Sequence, residues 1–345
     1  MTVQIDTITP VNFVAEISGN HLGSLERCLG LIESAARSGA TSVKFQTFLP
    51  ESMTLDIDRD EFKVSKDHPL WGGKKLIDLY RQTQTPYSWH KEMFECALAN
   101  RITPFSTPFD MHSVDFLEDL GCSLYKIASL ESSDLQLIKY VASTQKPIII
   151  STGATTFEEV TDLVEACHSV GNKNITLLVC TSSYPAKPAD ANLRRLALLR
   201  KTFETQVGLS DHTLSNGVSI AAIALGATVI EKHFTISRND GGPDSAFSSE
   251  PHEFESLVTE GKDALLSLGD GAWSTTESEA ESRRLRRSLY LKSDALAGEY
   301  LTTENIVAVR PGYGVSPKYL EFILGKKLAS DYLAGTPISF EMLQE

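Results

Sequence analysis

Two histidines close two matching segments of this sequence. GLSDHT (Gly208 to Thr213) and VIEKHF (Val229 to Phe234) each begin apolar and end polar, and the stretch Asn216 to Leu225 between them is apolar and helix-compatible. Strand, helix, strand in that order makes a parallel pair, so His212 and His233 fall at the same edge of neighbouring strands. Two imidazoles so placed, flanked by Asp211 and Glu231, have the donors to bind one divalent metal ion with positions left open. Alternation along a strand puts Ser210 on the face of His212 and Glu231 on the face of His233.

The elements that must position these groups repeat one theme, a short apolar or β-branched run with a polar ending followed by an amphipathic helical stretch. The runs are FVAEIS (Phe13 to Ser18), SVKFQT (Ser42 to Thr47), ITPFST (Ile102 to Thr107), LYKIAS (Leu124 to Ser129), PIIIST (Pro147 to Thr152), ITLLVCTS (Ile175 to Ser182), TQVGLSDH (Thr205 to His212) and TVIEKHF (Thr228 to Phe234). Eight β/α units in about 250 residues predict an α/β fold, a (β/α)8 TIM barrel, with chemistry at the C-terminal strand ends. Those ends collect Glu16, Asn20, His21, Lys44, Gln46, Ser106, Thr107, Lys126, Ser129, Ser151, Gly153, Ser182, Tyr184, Ser210 and both histidines.

Lys44 and Lys126 stand inside apolar runs, where an unpaired ammonium is costly to desolvate. Either each faces an anion, a phosphate or carboxylate among the hydroxyls, or they pair with Glu16 and Asp211 as a structural network. A metal beside such an anion site fits Lewis-acid activation of a carbonyl attacked by a phospho-enol carbon. A lysine Schiff base is the rival chemistry.

Helical stretches carry their own marks. Leu25, Cys28, Leu29, Ile32, Ala35 and Ala36 form one stripe, Phe157 to Cys167 another, and Thr156 with Glu159 makes a capping box. One connection, from Leu49 to about Leu76, is too long for the repeat; following the second strand, it lies over the barrel mouth, where Trp71 and Phe62 are placed to cover a ligand. The segmentation is a barrel over 1–268, a small polar linker over 269–286, and a small β-rich module over 287–345. The basic run Arg283 to Arg287 is expected to pair with Glu277 to Glu281.

A net charge of -13 opposes nucleic-acid and anionic-membrane binding. The opening MTVQIDTITP has neither a basic region nor an apolar run, and no stretch of eighteen apolar residues occurs, so a cytoplasmic protein without a membrane span is expected. Five cysteines without a CxxC pair predict core thiols rather than a disulfide framework.

Taken together, AEISGNH, VKFQT, STPFD, YKIAS, STGA, CTSSYP, GLSDHT, EKHF and GPD resemble, in order and over nearly the whole chain, the phosphoenolpyruvate-dependent sialic acid synthases. The tail, with NIVAVRPGYGVSP and LGKKL, is similar to that family's SAF domain, which is antifreeze-like. The SMTL…LWGGKKLIDLY…TPYSWH stretch is most similar to the branch that makes pseudaminic acid for bacterial surface glycans, while Ser182, where sialic acid synthases usually place an asparagine, and GPDSAFSSEP depart from the N-acetylneuraminate pattern; legionaminate and N-acetylneuraminate synthesis are the alternatives.

The resemblance implies condensation of phosphoenolpyruvate with 2,4-diacetamido-2,4,6-trideoxy-L-altrose, an open-chain diacetamido-trideoxy hexose, with C–O cleavage and release of phosphate. It implies Mn²⁺, Mg²⁺ or Co²⁺ held by His212 and His233, and phosphoenolpyruvate held by Lys44, Thr107, Lys126, Ser129, Ser182 and Ser210. Glu16, Gln46, Tyr184 and Asp244 would orient the sugar, Glu16 would also assist a water, and Arg310 would reach the sugar from a SAF domain that caps the partner barrel of a homodimer.

Overall fold

The computed structural model describes residues 10–66 and 71–344. The opening residues 1–9 and part of the long connection, 67–70, lie outside the described residues. The chain divides between Asp270 and Gly271 into two compact units.

The first unit is a closed barrel of eight parallel strands, β1 (Asn12–Glu16), β2 (Ser42–Thr47), β3 (Thr103–Pro108), β4 (Tyr125–Ile127), β5 (Ile148–Ser151), β6 (Ile175–Cys180), β7 (Gln206–Asp211) and β8 (Val229–His233). Each lies on one of the eight runs expected from the sequence, within a residue at either end except where polar endings leave the ladder. Strands buried on both faces read as continuous apolar runs, and here their outer faces meet a ring of helices. The helix Leu25–Arg37 turns Cys28, Ile32 and Ala35 inward as the stripe predicted, and buries Leu31 as well. The capping box of the helix Phe157–Ser169 is formed: the Glu159 N–H donates to Thr156 Oγ1 at 3.2 Å, and the Thr156 N–H to Glu159 Oε2 at 2.7 Å.

Register decides which polar endings share the interior. Glu16 is level with Lys44 on one side and with His233 on the other, and Ser210 is level with Glu231. Alternation then sends Lys44, Gln46, Thr107, Lys126, Ser210, Glu231 and His233 inward, while Thr47, Ser106, Asp211 and Lys232 point out toward the helices.

The long connection has structure of its own. A short helix (Pro50–Met53) is followed by a bridge pairing Lys63 with Lys75, and the helix Leu76–Thr83 completes it. Ion pairs of Lys63 with Asp58 at 2.7 Å and of Arg81 with Asp56 at 3.2 Å sit on its exposed face.

In the second unit β9 (Ser288–Leu291) pairs antiparallel with β10 (Ile306–Val309), around a core of Leu289, Leu291, Leu301, Ile323, Leu328 and Ile338. Among the described residues no ion pair joins Arg283 to Arg287 with Glu277 to Glu281. Glu279 is engaged instead in a capping box with Thr276, and Arg283 donates to Thr275 Oγ1 at 2.5 Å. All five cysteines are free, and four of them are buried. Among the described residues no helix is long and apolar enough to cross a membrane.

Gly208 sits where β7 passes closest to its neighbours. A Cβ there would come within 2.4 Å of the Val229 carbonyl oxygen and 2.6 Å of Leu178 Cδ2. Backbone on one side and packed core on the other leave no room, so Gly208→Ala is expected to lower unfolding free energy by about 1–3 kcal/mol. Chemical denaturation checks this, and an unchanged midpoint would contradict the packing described.

Candidate active site

The C-terminal mouth of the barrel opens into a cavity of ≈ 290 Å³. Its floor holds four buried charged side chains, Glu16, Lys44, Lys126 and Glu231. Lys44 Nζ lies 2.5 Å from Glu16 Oε2 and 3.7 Å from Glu231 Oε1, and it donates to Thr107 Oγ1 at 3.3 Å. Burial alone would lower the Lys44 pKa, but the two carboxylates outweigh it and raise it. Lys126 is placed differently: its nearest carboxylate oxygen, on Glu231, is 4.0 Å away, and its ammonium donates to Ser151 Oγ at 2.6 Å and to the Ile127 carbonyl at 2.8 Å. Here burial wins and the pKa is lowered.

Glu231 is the counterweight to both lysines. Burial would raise its pKa, yet Lys126, Lys44 and His212 more than offset that, so it is held below the ordinary carboxylate range and is ionised. One oxygen accepts from Ser210 Oγ at 3.2 Å; the other has no hydrogen-bond partner. The network reading of the lysines is therefore met in part. Lys44 does pair with Glu16, whereas Asp211 faces the helices and pairs with Lys232 at 3.1 Å. Asp211 thus does not flank the histidines from inside the barrel, because it occupies the odd position of the strand.

A collar of hydroxyls stands beside Lys126. Ser129 Oγ accepts from the Gly153 N–H at 3.1 Å, and Ser182 Oγ is buried without a partner. Gly153 itself is the reason these groups can gather, since a Cβ there would lie 2.4 Å from Ser182 Oγ and 2.7 Å from Ser129 Oγ. The Ser182 hydroxyl is the one buried here without a partner, a donor free for a ligand oxygen.

His212 and His233 meet as expected, with ring centroids 5.4 Å apart. The His212 Nδ1 atom is 2.9 Å from the Thr181 carbonyl, which assigns the proton to Nδ1 and leaves Nε2 with its lone pair. Burial lowers the His212 pKa, but the Cys180 thiol 4.0 Å away and the Thr181 carbonyl raise it overall. His233 is lowered well below the ordinary value, first by burial and then by His212, Lys44, Lys232 and Lys126, so its ring is neutral. Its Nδ1 is buried and has no partner. Among the described residues no third His, Cys, Asp or Glu completes a cluster with them. A fixed tautomer on one ring and an orphaned nitrogen on the other fit a divalent ion with several positions left for non-protein ligands.

Around this centre, Gln46 Nε2 donates to Glu16 Oε1 at 3.2 Å and to Ser18 Oγ at 3.0 Å, and Ser18 Oγ donates to Glu16 Oε1 at 2.5 Å. The Tyr184 ring packs 4.4 Å from that of His212 and 6.4 Å from that of Trp71, centroid to centroid. Asp244 Oδ2 accepts the Gly19 N–H at 3.0 Å. Trp71 lines the cavity; Phe62 does not.

Other strand-end residues prove structural. Ser106 and Thr47 share a hydrogen bond of 2.6 Å outside the barrel, Asn20 Nδ2 donates to the Phe234 carbonyl, and His21 Nε2 lies 3.3 Å from Thr85 Oγ1. Arg310 is exposed beyond β10 in the second unit. Sequence reasoning gave no role to Ser18 or Cys180. Glu231, expected to flank the histidines, shares its strand face with His233 and lies within 4.0 Å of both lysines.

Residues 31–272 match the model of the NeuB family, and residues 286–344 match the SAF domain. The chain is 41% identical over 338 residues to the pseudaminic acid synthase of Helicobacter pylori, covering 98% of this chain and 99% of the other. It is 36% identical to the N,N'-diacetyllegionaminic acid synthase of Campylobacter jejuni, covering 92% and 96%. Among solved structures, the N-acetylneuraminic acid synthetase of Leptospira borgpetersenii in complex with citrate superposes with a TM-score of 0.71 at 30% identity, over 80% of this chain and 90% of that one.

Asp244 supplies a pH test of the site's electrostatics. Burial pushes its carboxyl from the usual 3.8 up to about 6, the Gly19 N–H opposing and Glu16 adding to the rise. The folded value lies above the unfolded one, so the penalty for ionising Asp244 is absent below pH 3.8, grows up to about 6, and is full above it. That penalty is about 3 kcal/mol. Asp244→Asn is expected to raise the melting temperature at about pH 8 and to change it little at about pH 4. Equal shifts at both would contradict the burial of an isolated carboxyl.

Proposed function

The chain belongs to the NeuB family, and from that premise we propose that it condenses phosphoenolpyruvate with 2,4-diacetamido-2,4,6-trideoxy-L-altrose and water, giving pseudaminic acid and phosphate. The observation that carries the proposal is the pair of imidazoles at the rim of a floor that holds two buried ammonium groups. The relatives named for pseudaminic acid match the chain more closely than the relative named for legionaminic acid, which favours the altrose-configured sugar.

In this reading Lys44, Lys126, Thr107, Ser129, Ser182 and Ser210 bind the phosphate and carboxylate of phosphoenolpyruvate. Two fixed cations offset part of the trianion's charge and aim its enol carbon at the sugar. A divalent ion (Mn²⁺, Mg²⁺ or Co²⁺) held by His212 and His233 supplies Lewis-acid polarisation of the open-chain aldehyde. Gln46, Tyr184 and Asp244 orient the sugar's hydroxyl and acetamido groups. C3 of phosphoenolpyruvate bonds to the aldehyde carbon, whose oxygen takes a proton to become a hydroxyl. Water adds to C2, and the C2–O bond to phosphate breaks, so that the bridging oxygen leaves with phosphate. Glu16, fixed by Ser18 and Lys44, takes the proton of that water.

The proposal extends to a cytoplasmic homodimer in which the SAF domain of each chain caps the barrel of a second copy and Arg310 meets the sugar. The exposed guanidinium of Arg310 supports it. A Schiff-base aldolase remains the second reading, because the lowered pKa of Lys126 is what a nucleophilic lysine needs.

Phosphate release from phosphoenolpyruvate with Mn²⁺ tests these readings together. Release is expected with the altrose-configured sugar and not with N-acetylmannosamine, and EDTA should abolish it. His233→Ala should lose Mn²⁺ binding by electron paramagnetic resonance and at least about 10³-fold in turnover. Full phosphate release after chelation would contradict the metal-dependent reading, and a borohydride-trapped substrate adduct on the protein would favour the aldolase instead.

A further inference from the structure

The cavity has two chemically opposite walls. Its floor is charged and hydroxylated, but the wall facing that floor is built from Phe48, Met53, Val64, Leu76, Leu79 and Phe109. The long second-strand connection supplies most of it. Phe48 follows β2, Met53 ends the short helix, and the antiparallel bridge of Lys63 to Lys75 folds the connection back on itself, so that Val64 and Leu76 come from its two facing arms. The next helix turns Leu76, Leu79, Tyr80 and Thr83 toward the cavity, at the i, i+3, i+4, i+7 spacing of one helix face. The Thr83 hydroxyl is engaged by its own helix, donating to the Leu79 carbonyl at 3.0 Å. Of this helix face, that leaves the Tyr80 hydroxyl as the polar group open to a ligand, beside the apolar side chains.

Such a wall discriminates by polarity. A sugar hydroxyl pressed against it gives up water and gains no hydrogen bond, whereas a methyl group gains by leaving water. The diacetamido-trideoxy hexose presents a C6 methyl and the methyl of its C4 acetamido group where N-acetylmannosamine presents hydroxyls. Building on the proposed function, we infer that the wall formed by Val64, Leu76 and their apolar neighbours receives the C6 methyl and the C4 acetamido methyl, and so makes the enzyme selective for 6-deoxy diacetamido sugars. Both faces of the substrate are then accounted for: the phospho-enol partner on the charged floor, the deoxygenated end of the sugar against the loop. The wall senses polarity only, so it accepts altrose- and mannose-configured 6-deoxy sugars alike, and configuration is read elsewhere.

The test compares kcat/KM for the altrose-configured diacetamido sugar with that for its 6-hydroxy analogue, in the unaltered enzyme and in Leu76→Asn and Val64→Thr. Val64→Thr keeps the side-chain shape and is the safeguard should Leu76→Asn fold poorly; circular dichroism checks both. The unaltered enzyme is expected to prefer the 6-deoxy sugar by about 10–200-fold, and the polar variants to lose most of that preference through the 6-deoxy substrate. KM for phosphoenolpyruvate should not move, which separates a sugar-contacting role from general damage to the site. A preference that survives in a folded variant overturns the inference while leaving the condensation intact. Absence of phosphate release from the unaltered enzyme with either sugar overturns the condensation itself.

Discussion

Everything at the barrel mouth depends on four charges that cannot reach water. Glu16, Lys44, Lys126 and Glu231 are all buried, and each would be prohibitively costly there alone. They are tolerable because strand register brings opposite signs together, Glu16 level with Lys44 on adjacent strands and Glu231 lying between the two lysines. The compensation is uneven. Lys44 has a carboxylate at 2.5 Å, while Lys126 has none nearer than 4.0 Å and leans on a serine hydroxyl and a carbonyl. Lys126 is thus the less compensated of the two ammonium groups, and the absence of a Cβ at Gly153 lets the hydroxyls of Ser129 and Ser182 gather in one place.

A second buried pair holds the rim from behind. Asp211 and Lys232 precede His212 and His233 in sequence, and their side chains meet on the outer face at 3.1 Å. Asp211 also accepts from Ser219 Oγ at 2.6 Å and from the Thr213 N–H at 2.8 Å, while Lys232 donates to the Thr213 carbonyl at 2.5 Å. The two strand ends that carry the imidazoles are thus clamped to each other and to the following helix. Rigid supports of this kind keep coordinating rings within the narrow range that useful chemistry needs.

Much of this was legible in the residues, for definable reasons. A parallel strand buried on both faces announces itself as an apolar run, and in a barrel all polar endings must gather at one mouth, so the eight units and the His212–His233 pair followed from local pattern alone. What stayed hidden was pairwise. Alternation said that Asp211 and His212 face opposite ways, yet only the packed structure shows Lys232 waiting on the outer side. Glu231 could be placed on the face of His233, but its position between two lysines depends on barrel closure across β1, β2 and β4. The apolar wall was least legible, because residues spread from Phe48 to Phe109 join it only after the connection folds back on itself through the bridge of Lys63 to Lys75.

If phosphoenolpyruvate binds at the barrel floor, its anionic groups meet Lys126, the ammonium with the more distant carboxylate. Direct calorimetric binding of phosphoenolpyruvate to the unaltered protein and to Lys126→Met tests it most simply; Glu231, 4.0 Å from Lys126, loses one of its two lysine partners in the variant and keeps Lys44 at 3.7 Å. Loss of the ammonium should weaken binding by roughly 10–100-fold, the worth of a charged hydrogen bond in a buried site. Undiminished affinity in the folded variant would contradict the claim and move the anion away from the barrel floor.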